Sequence, residues 1–414
     1  MDRRKKKSLR IEREAARNMV LELDAPKVVE MVPVGQCYGR VLAEDIIAKE
    51  NIPPFRKAPL DGYAFIGEDT KDASEENPVI LKITEEIPAG GVPHIEITHG
   101  YAAKILTGAP VPVGANVVCR YEETEFNDKE VTFTSPFEPD KNIVPIGDDI
   151  KTGRKIASEK EVITPPVAGM FSALGITRVP VFKKPFITII STGSELLDPS
   201  KELKPGKIRN SSYHLIRGYL EEAGAVVSEA DIISDNGDDI ATKLNEALEV
   251  SDMVVTTGGV SVGDYDLMLE ATEKIGARRL FWKVRFRPGG TMLAAEKDGK
   301  LILGLSGNPA SASLALHIIG MPFVRKLTGR EAAAPVRIQV ELMDPIKKDS
   351  PFGRLVRGKL VFKDGKTYFK SVDCQGNGAL SSLLGCDLIA DIPQNTPPLP
   401  AGSVVEAYYL GGND

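Results

Sequence analysis

Between Pro185 and Leu327 the chain alternates two kinds of apolar pattern. Short unbroken apolar runs at Phe186–Ser191, Val226–Ile233, Met253–Thr257, Phe281–Phe286 and Leu301–Gly304 predict strands buried on both faces. Between them, apolar positions at helical spacing predict amphipathic helices over Tyr213–Ala223, Asp238–Leu248, Leu267–Ile275 and Ala310–Leu327. Strand and helix in alternation imply a mostly parallel sheet covered on both faces.

The flanking segments have other patterns. Arg13–Leu23 carries apolar residues at helical spacing, and Gln36–Ala43 predicts a second short helix. From Ile52 to about Val144, prolines and glycines punctuate β-like runs at Val79–Thr84, Lys104–Thr107, Asn116–Arg120 and Glu130–Phe133, which predicts an inserted β-rich domain. Lys151–Val181 returns to helix, with Pro165-Pro166 at a helix start. Beyond Pro335 the pattern is β again. Leu360–Lys363, Asp364-Gly365 and Lys366–Phe369 make a hairpin with a type I′ turn, within a small barrel or sandwich.

Composition narrows the function. A chain of 414 residues, 42% hydrophobic and 27% charged, is long enough for several domains with real cores. A net charge of −6 argues against a general nucleic-acid binder, and the short basic run Arg3–Lys7 reads as a solvated tail or helix start. No apolar stretch is long enough to span a membrane, and no signal-peptide core follows the basic run. Cys37, Cys119, Cys374 and Cys386 are scattered without a C-x-x-C pair, which suits reduced thiols and a cytoplasmic location. In that setting the sequon-like Asn210-Ser211-Ser212 has no bearing on glycosylation. His94, His99, His214 and His317 show no zinc-ligand spacing, so any metal would be a hard ion on oxygen ligands, such as Mg²⁺.

Four polar, glycine-bearing turns follow strands of the α/β segment: Ser191–Glu195, Gly258–Asp266, Arg287–Thr291 and Ser306–Pro309. Parallel strands end on one edge, so the four turns predict one crevice. Their chemistry suits anions, because glycine lets amide N–H groups approach closely and helix N-termini add partial positive charge. Asn308-Pro309 is a cap followed by Pro at the first helical position, which aims that helix at the crevice. Gly259–Gly263 also fits the G-x-S-x-G elbow of a serine hydrolase around Ser261. The later histidine such an enzyme needs could come only from His317, in the apolar run Leu314–Ile319, and Asp264 and Asp266 suit a metal better than an activated hydroxyl. Gly353–Lys359 reads G-x-x-x-x-G-K, but Leu360 replaces the P-loop hydroxyl and a strand follows, so only Arg354 and Arg357 remain as candidate oxyanion binders. On composition alone, Asp61-Gly62 is a turn signal and Thr107-Gly108 a strand end.

Taken together the motifs resemble the molybdopterin molybdenumtransferase family, to which the C-terminal region of gephyrin belongs. The resemblance is carried by Pro53-Pro54, Asp61–Ala64, Ile105–Ala109 with Pro112 and Gly114, Gly147–Ile150 with Gly153, Ser191–Leu196, Thr257–Gly263, Pro288-Gly289, Gly304-Leu305 and Gly307–Pro309, in order from about residue 20 to 410. It implies a multidomain α/β fold: a discontinuous elongated helical domain at 1–52 plus 145–182, a β-rich insertion at 53–144, a three-layer α/β pterin-binding domain at 183–330 with a mostly parallel sheet, and a β barrel at 331–414. It implies a Mg²⁺-dependent reaction of adenylylated molybdopterin with molybdate that yields molybdenum cofactor and AMP. It further implies a homodimer whose site is shared between chains, with the adenylyltransferase that supplies the substrate as a partner, and neither nucleic acid nor membrane.

On that resemblance Asp61, Thr107, Asp149, Glu195, Asp235 and Asp266 are catalytic, and Glu195, Asp264 and Asp266 hold the metal. Pterin and phosphates would lie on Thr192, Gly193, Ser194, Gly258, Gly259, Ser261, Gly263, Arg287, Pro288, Gly289, Ser306, Gly307, Asn308, Pro309 and Ser311, with Arg354 and Arg357 nearby. The chain departs from the family where oxyanion contacts are expected. The usual Lys-Pro-Gly-Lys-Pro is Arg287-Pro288-Gly289-Gly290-Thr291, Pro-Gly-Asn-Pro-Val-Ser is Ser306–Ser311, an Asp is Ser194, and a C-terminal serine is Asn377. Losing the second lysine removes a charge-assisted contact of about 1.5–3 kcal/mol, and Arg287 offers a planar fork in place of a point charge. A tungstate-preferring relative and a non-catalytic pterin-binding scaffold are the alternatives. A nicotinamide-nucleotide amidase would lack the flanking segments.

Overall fold

The computed structural model describes residues 10–260, 267–330, 335–350 and 352–410. Its centre is a six-stranded sheet in the order Val226–Glu229, Phe186–Ser191, Met253–Thr257, Lys300–Leu305, Leu293–Lys297, Arg278–Trp282. The first four strands are parallel, and Leu293–Lys297 runs antiparallel to both its neighbours. Arg278–Trp282 therefore points the same way as the first four. The alternation of side chains divides each apolar run between two cores. Ile187, Ile189, Val255 and Leu303 pack under the helices Ser211–Glu222 and Met321–Leu327, while Ile190, Val254 and Ile302 pack under Gly237–Val250 and Leu267–Lys274. These are three layers, as the unbroken apolar runs require.

The flanking segments build smaller units. Residues 62–133 form a six-stranded sheet, and residues 337–409 a closed five-stranded barrel. In the barrel Asp364 and Gly365 both have positive φ (50° and 74°) between the paired Lys363 and Lys366, as a type I′ hairpin demands. The N-terminal helix Arg13–Leu21 buries Ala16 and Val20 in the α/β core, and Lys326 Nζ donates to the carbonyls of Leu21 and Leu23 at its C-terminal end. Among the described residues no helix is long and apolar enough to cross a membrane.

Three local expectations fail. Gln36–Ala43 is not a helix. Cys37, Val41 and Leu42 are buried, but by pairing across to residues 161–163 and 180–182 (Gly39 N–H to Ile163 O 2.9 Å, Leu42 N–H to Glu161 O 2.9 Å), so tertiary partners replace the helical bonds. Within Lys151–Val181 only Pro165–Ala173 is helical, ending before Gly175 at φ 68°, and Arg178–Phe182 pairs with Val29–Pro33 as a strand. The expected strand Phe281–Phe286 ends at Trp282.

The long helix expected over Ala310–Leu327 widens to a π turn at Leu316–Gly320. There His317 packs edge-on against Tyr219 at 4.4 Å, with Nε2 enclosed and unpartnered. Burial, aided by the charge of Arg325, pushes the imidazole down to about 4. An unfolded histidine takes its proton near 6.5, so the folded state gains stability above that pH and loses it as pH falls towards 4. Urea unfolding at pH 7 and pH 4.5 is expected to show an acid-side loss of at most about 3 kcal/mol from this residue. His317→Leu should remove that part of the slope, and a variant with an unchanged slope would refute it.

Candidate functional site

All four polar turns lie along one edge of the sheet, because each is attached to a strand end there: Ser191, Thr257 and Leu305 as C-terminal ends, and Trp282 and Leu293 on either side of the third turn. The third turn folds against the helix that starts at Pro309, where a Cβ on Gly289 would come within 2.8 Å of Ser311 O. Thr192 and Gly258 are locked together. Thr192 N–H donates to Thr257 O (2.9 Å), and a Cβ on Gly258 would sit 2.2 Å from Thr192 O at a φ of 92°. Gly259 likewise has positive φ. Gly258→Ala is expected to destabilise the protein by about 1–3 kcal/mol and to displace the Thr192 turn. Thermal unfolding and pterin affinity, both unchanged, would be the contrary result.

The first turn does not present its amides. Thr192, Gly193 and Ser194 donate to Thr257 O, Ile233 O and Asp235 Oδ2 respectively, so their N–H groups are satisfied within the protein. What the turn gathers is carboxylate. Asp235 Oδ2 accepts from both the N–H (3.1 Å) and hydroxyl (2.8 Å) of Ser194, and the Glu195 carboxylate folds back over Gly193, its oxygens 2.7 and 2.8 Å from where a Cβ would lie. Lys207 Nζ donates to Ser194 O. Thus Glu195 and Asp235, forty residues apart in sequence, meet at one turn and offer oxygen donors suited to a hard cation. Among the described residues no three His, Cys, Asp or Glu side chains form a metal-holding set. Ser261, Gly263, Asp264 and Asp266 lie outside the described residues.

The barrel holds a buried positive charge under the loop that meets the crevice. Arg357, fully buried in Arg354–Lys363, donates from Nη2 to Gly376 O (3.0 Å), and Gln375 holds its backbone on both sides (Oε1 from Arg357 N–H 3.0 Å, Nε2 to Arg357 O 2.8 Å). Its Nε and Nη1 are enclosed without a partner. Burial lowers its pKa, with the nearby thiols Cys386 and Cys374 the opposing influences and no carboxylate among them. The loop over Arg357 reaches the crevice, since Asn377 O accepts from Ser311 N–H (3.2 Å) and a Cβ on Gly378 would lie 3.3 Å from Asn308 Oδ1. Asn308 occupies the N-cap position before Pro309 but makes no capping bond; its N–H donates to Ser306 Oγ (3.3 Å).

Arg287 and Arg354 are placed differently. The guanidinium of Arg287 stacks over Phe352 at 4.4 Å, and Arg354 donates to Lys348 O. At Gly290 a Cβ would lie 2.4 Å from Val284 O and 2.3 Å from Phe286 O, so this backbone admits no side chain where the resembling family has its second lysine.

On the β-rich segment, Asp61 Oδ1 accepts from both N–H and hydroxyl of Thr107 at 2.7 Å, bonds that hold its carboxyl below the ordinary range. The turn signals are thus one motif, closed across 46 residues. Asp149 is exposed where the chain crosses back, its N–H on Ile52 O and its carbonyl accepting from Arg154. Sequence reading gave no site role to Ser191, Thr257 and Asn210, the buried polar residues behind the turns. Asn210 had a usable signal, an Asn directly before an amphipathic helix.

A mostly parallel, three-layer sheet with polar turns on one edge, a β-rich insertion and a barrel that lends a buried arginine defines a multidomain ligand-binding protein of the α/β class. Family profiles match along the chain in the same order: MoeA N-terminal region (domain I and II) over 11–175, probable molybdopterin binding domain over 188–326, and MoeA C-terminal region (domain IV) over 339–410. A molybdopterin molybdenumtransferase of Staphylococcus epidermidis is 36% identical over 92% of this chain and 91% of its own. One from Bacillus subtilis is 34% identical over 92% and 90%. The crystal structure of a molybdopterin biosynthesis MoeA protein from Pyrococcus horikoshii covers 97% of this chain and 100% of its own, at 29% identity and a TM-score of 0.85. The chain belongs to the molybdopterin molybdenumtransferase (MoeA) family, and is accordingly a transferase of molybdenum cofactor biosynthesis.

Proposed function

We propose that this chain inserts molybdate into adenylylated molybdopterin with Mg²⁺-dependent release of AMP. The observation that carries the reading is Arg357, a buried cation with two unpartnered nitrogens under the barrel loop that meets Asn308 and Ser311 of the crevice. An enclosed guanidinium without a carboxylate needs an anion, and its planar fork suits a tetrahedral oxyanion. On this reading the glycine turns at 258–259, 288–290 and 306–308 receive the pterin and its phosphate. Glu195 and Asp235 hold Mg²⁺, with Asp264 and Asp266 completing the set; when bound, the cation offsets charge on the phosphoanhydride. Ser194 is then a positioning residue that fixes Asp235 through two hydrogen bonds.

The Asp61–Thr107 pair bonds within its own segment. We place it at the crevice of a second copy in a homodimer, where an exposed, ionised Asp61 would meet the substrate from outside. Asp149 would act from the same side. The reading also keeps the division at 1–52 plus 145–182, 53–144, 183–330 and 331–414, a cytoplasmic location, and the adenylyltransferase that supplies the substrate as a partner.

The closed backbone at Gly290 favours a shift in oxyanion preference, since one cationic contact cannot be supplied there. AMP release from adenylylated molybdopterin and Mg²⁺, with molybdate or tungstate, tests both points. Oxyanion-stimulated release is expected, and the ratio of the two anions reads the preference. Tight pterin binding with no release under either anion would instead establish a non-catalytic scaffold.

A further inference from the structure

The crevice turns are far apart in sequence, yet three of them are joined through a short run of polar side chains that starts at Asn210. Asn210, 3% exposed, follows the short strand Ile208–Arg209 and precedes the helix Ser211–Glu222. Its N–H donates to Leu197 O (2.8 Å), its Oδ1 caps Tyr213 N–H (3.2 Å), and its Nδ2 donates to Ser191 Oγ (2.9 Å). Ser191 is fully buried at the root of the first turn, and its Oγ also receives the Thr257 hydroxyl (3.4 Å) from the root of the second. Two residues on, Ser212 Oγ donates to Gly307 O (3.2 Å) in the fourth turn.

We infer that Asn210 is a positioning residue for the pterin-nucleotide site, holding the Thr192 and Gly258 turns in register through Ser191, while the helix it caps carries Ser212 to the Gly307 turn. This rests on the proposed function for its ligand, but not for its geometry. A neutral amide is well suited to the place. It donates to Ser191 and accepts from the helix at the same time, and it adds no negative charge behind a site that must take phosphate. Since the bonds among Asn210, Ser191 and Thr257 are buried, losing the donor leaves Ser191 Oγ and Thr257 Oγ1 without a fixed geometry.

The test separates capping from positioning. Asn210→Ser retains a hydroxyl that can cap Tyr213 but is too short to reach Ser191; Ser191→Ala removes the acceptor. Amide hydrogen exchange at Thr192, Gly193 and Gly258 is expected to speed at least tenfold in Asn210→Ser, and KM for the pterin nucleotide to rise about tenfold with kcat changed less than threefold. In the Ser191→Ala background the Asn210→Ser change should add little to either readout, because the two residues act as one unit. Unchanged exchange in Asn210→Ser, or effects that simply add, would overturn the inference and leave Asn210 as a helix cap. Faster exchange in a protein whose wild type does not turn over the pterin nucleotide would uphold the positioning role and count against the proposed function alone.

Discussion

Replacing Arg357 by methionine is expected to lower oxyanion-stimulated AMP release by about a hundredfold or more, the usual cost of removing a preorganised donor from a dry site. The same change should leave folding stability unchanged or slightly raised. A buried guanidinium with two unpartnered nitrogens and no carboxylate beside it is a net cost to folding, and methionine fills similar space without it. Arg357→Lys keeps the charge but gives up the fork and the hold on Gly376 O, so intermediate activity with a raised KM for the oxyanion is expected. Turnover rates at several molybdate concentrations, with thermal unfolding alongside, make the check. Activity retained in Arg357→Met would remove the oxyanion from this position. Lost activity with an equal loss of stability would make Arg357 a structural residue of the barrel.

The scaffold behind this prediction was legible in the sequence wherever a pattern was local. Unbroken apolar runs such as Met253–Thr257 and Leu301–Gly304 fell within strands buried on both faces, and Asp364-Gly365 became the turn it signalled. The crevice edge followed from the sheet's direction. The chain's cross-connections were not legible. Gln36–Ala43 has a helical spacing of apolar residues, but the amides of Gly39, Leu42 and Ala43 go to carbonyls more than a hundred residues away. Arg357 resembled part of a failed P-loop, because nothing near it in sequence tells that it is buried under its own barrel loop. Amide-lined anion binding was expected of the Thr192 turn. Its amides are internally used, and what the turn gathers instead is the carboxylates of Asp235 and Glu195. Asn210 was passed over because its partners, Ser191 and Leu197, are neighbours only after folding.

Arg13→Ala is expected to destabilise the protein by about 3–5 kcal/mol, the range for removing one partner of a buried ion pair. Arg13 reaches from the N-terminal helix to the barrel and grips Asp391 with two parallel bonds of 2.8 Å. Burial opposes its charge, but the bond and charge of Asp391 outweigh it, and the guanidinium pKa is raised. Asp391 is 8% exposed, and without Arg13 its remaining side-chain donor is Tyr408 O–H at 3.2 Å. The pair also lines a groove of about 600 Å³ between helix and barrel, apart from the crevice residues. The cost comes from a stranded carboxylate, and a second variant shows it. Arg13→Leu combined with Asp391→Leu should recover most of the loss, as apolar replacements of whole buried pairs do. Urea unfolding of wild type, both single variants and the double variant gives the cycle. A single variant within about 1 kcal/mol of wild type would mean that water already reaches the pair. A double variant as unstable as Arg13→Ala would mean that the two bonds themselves, and not charge burial, hold the N-terminal helix to the barrel.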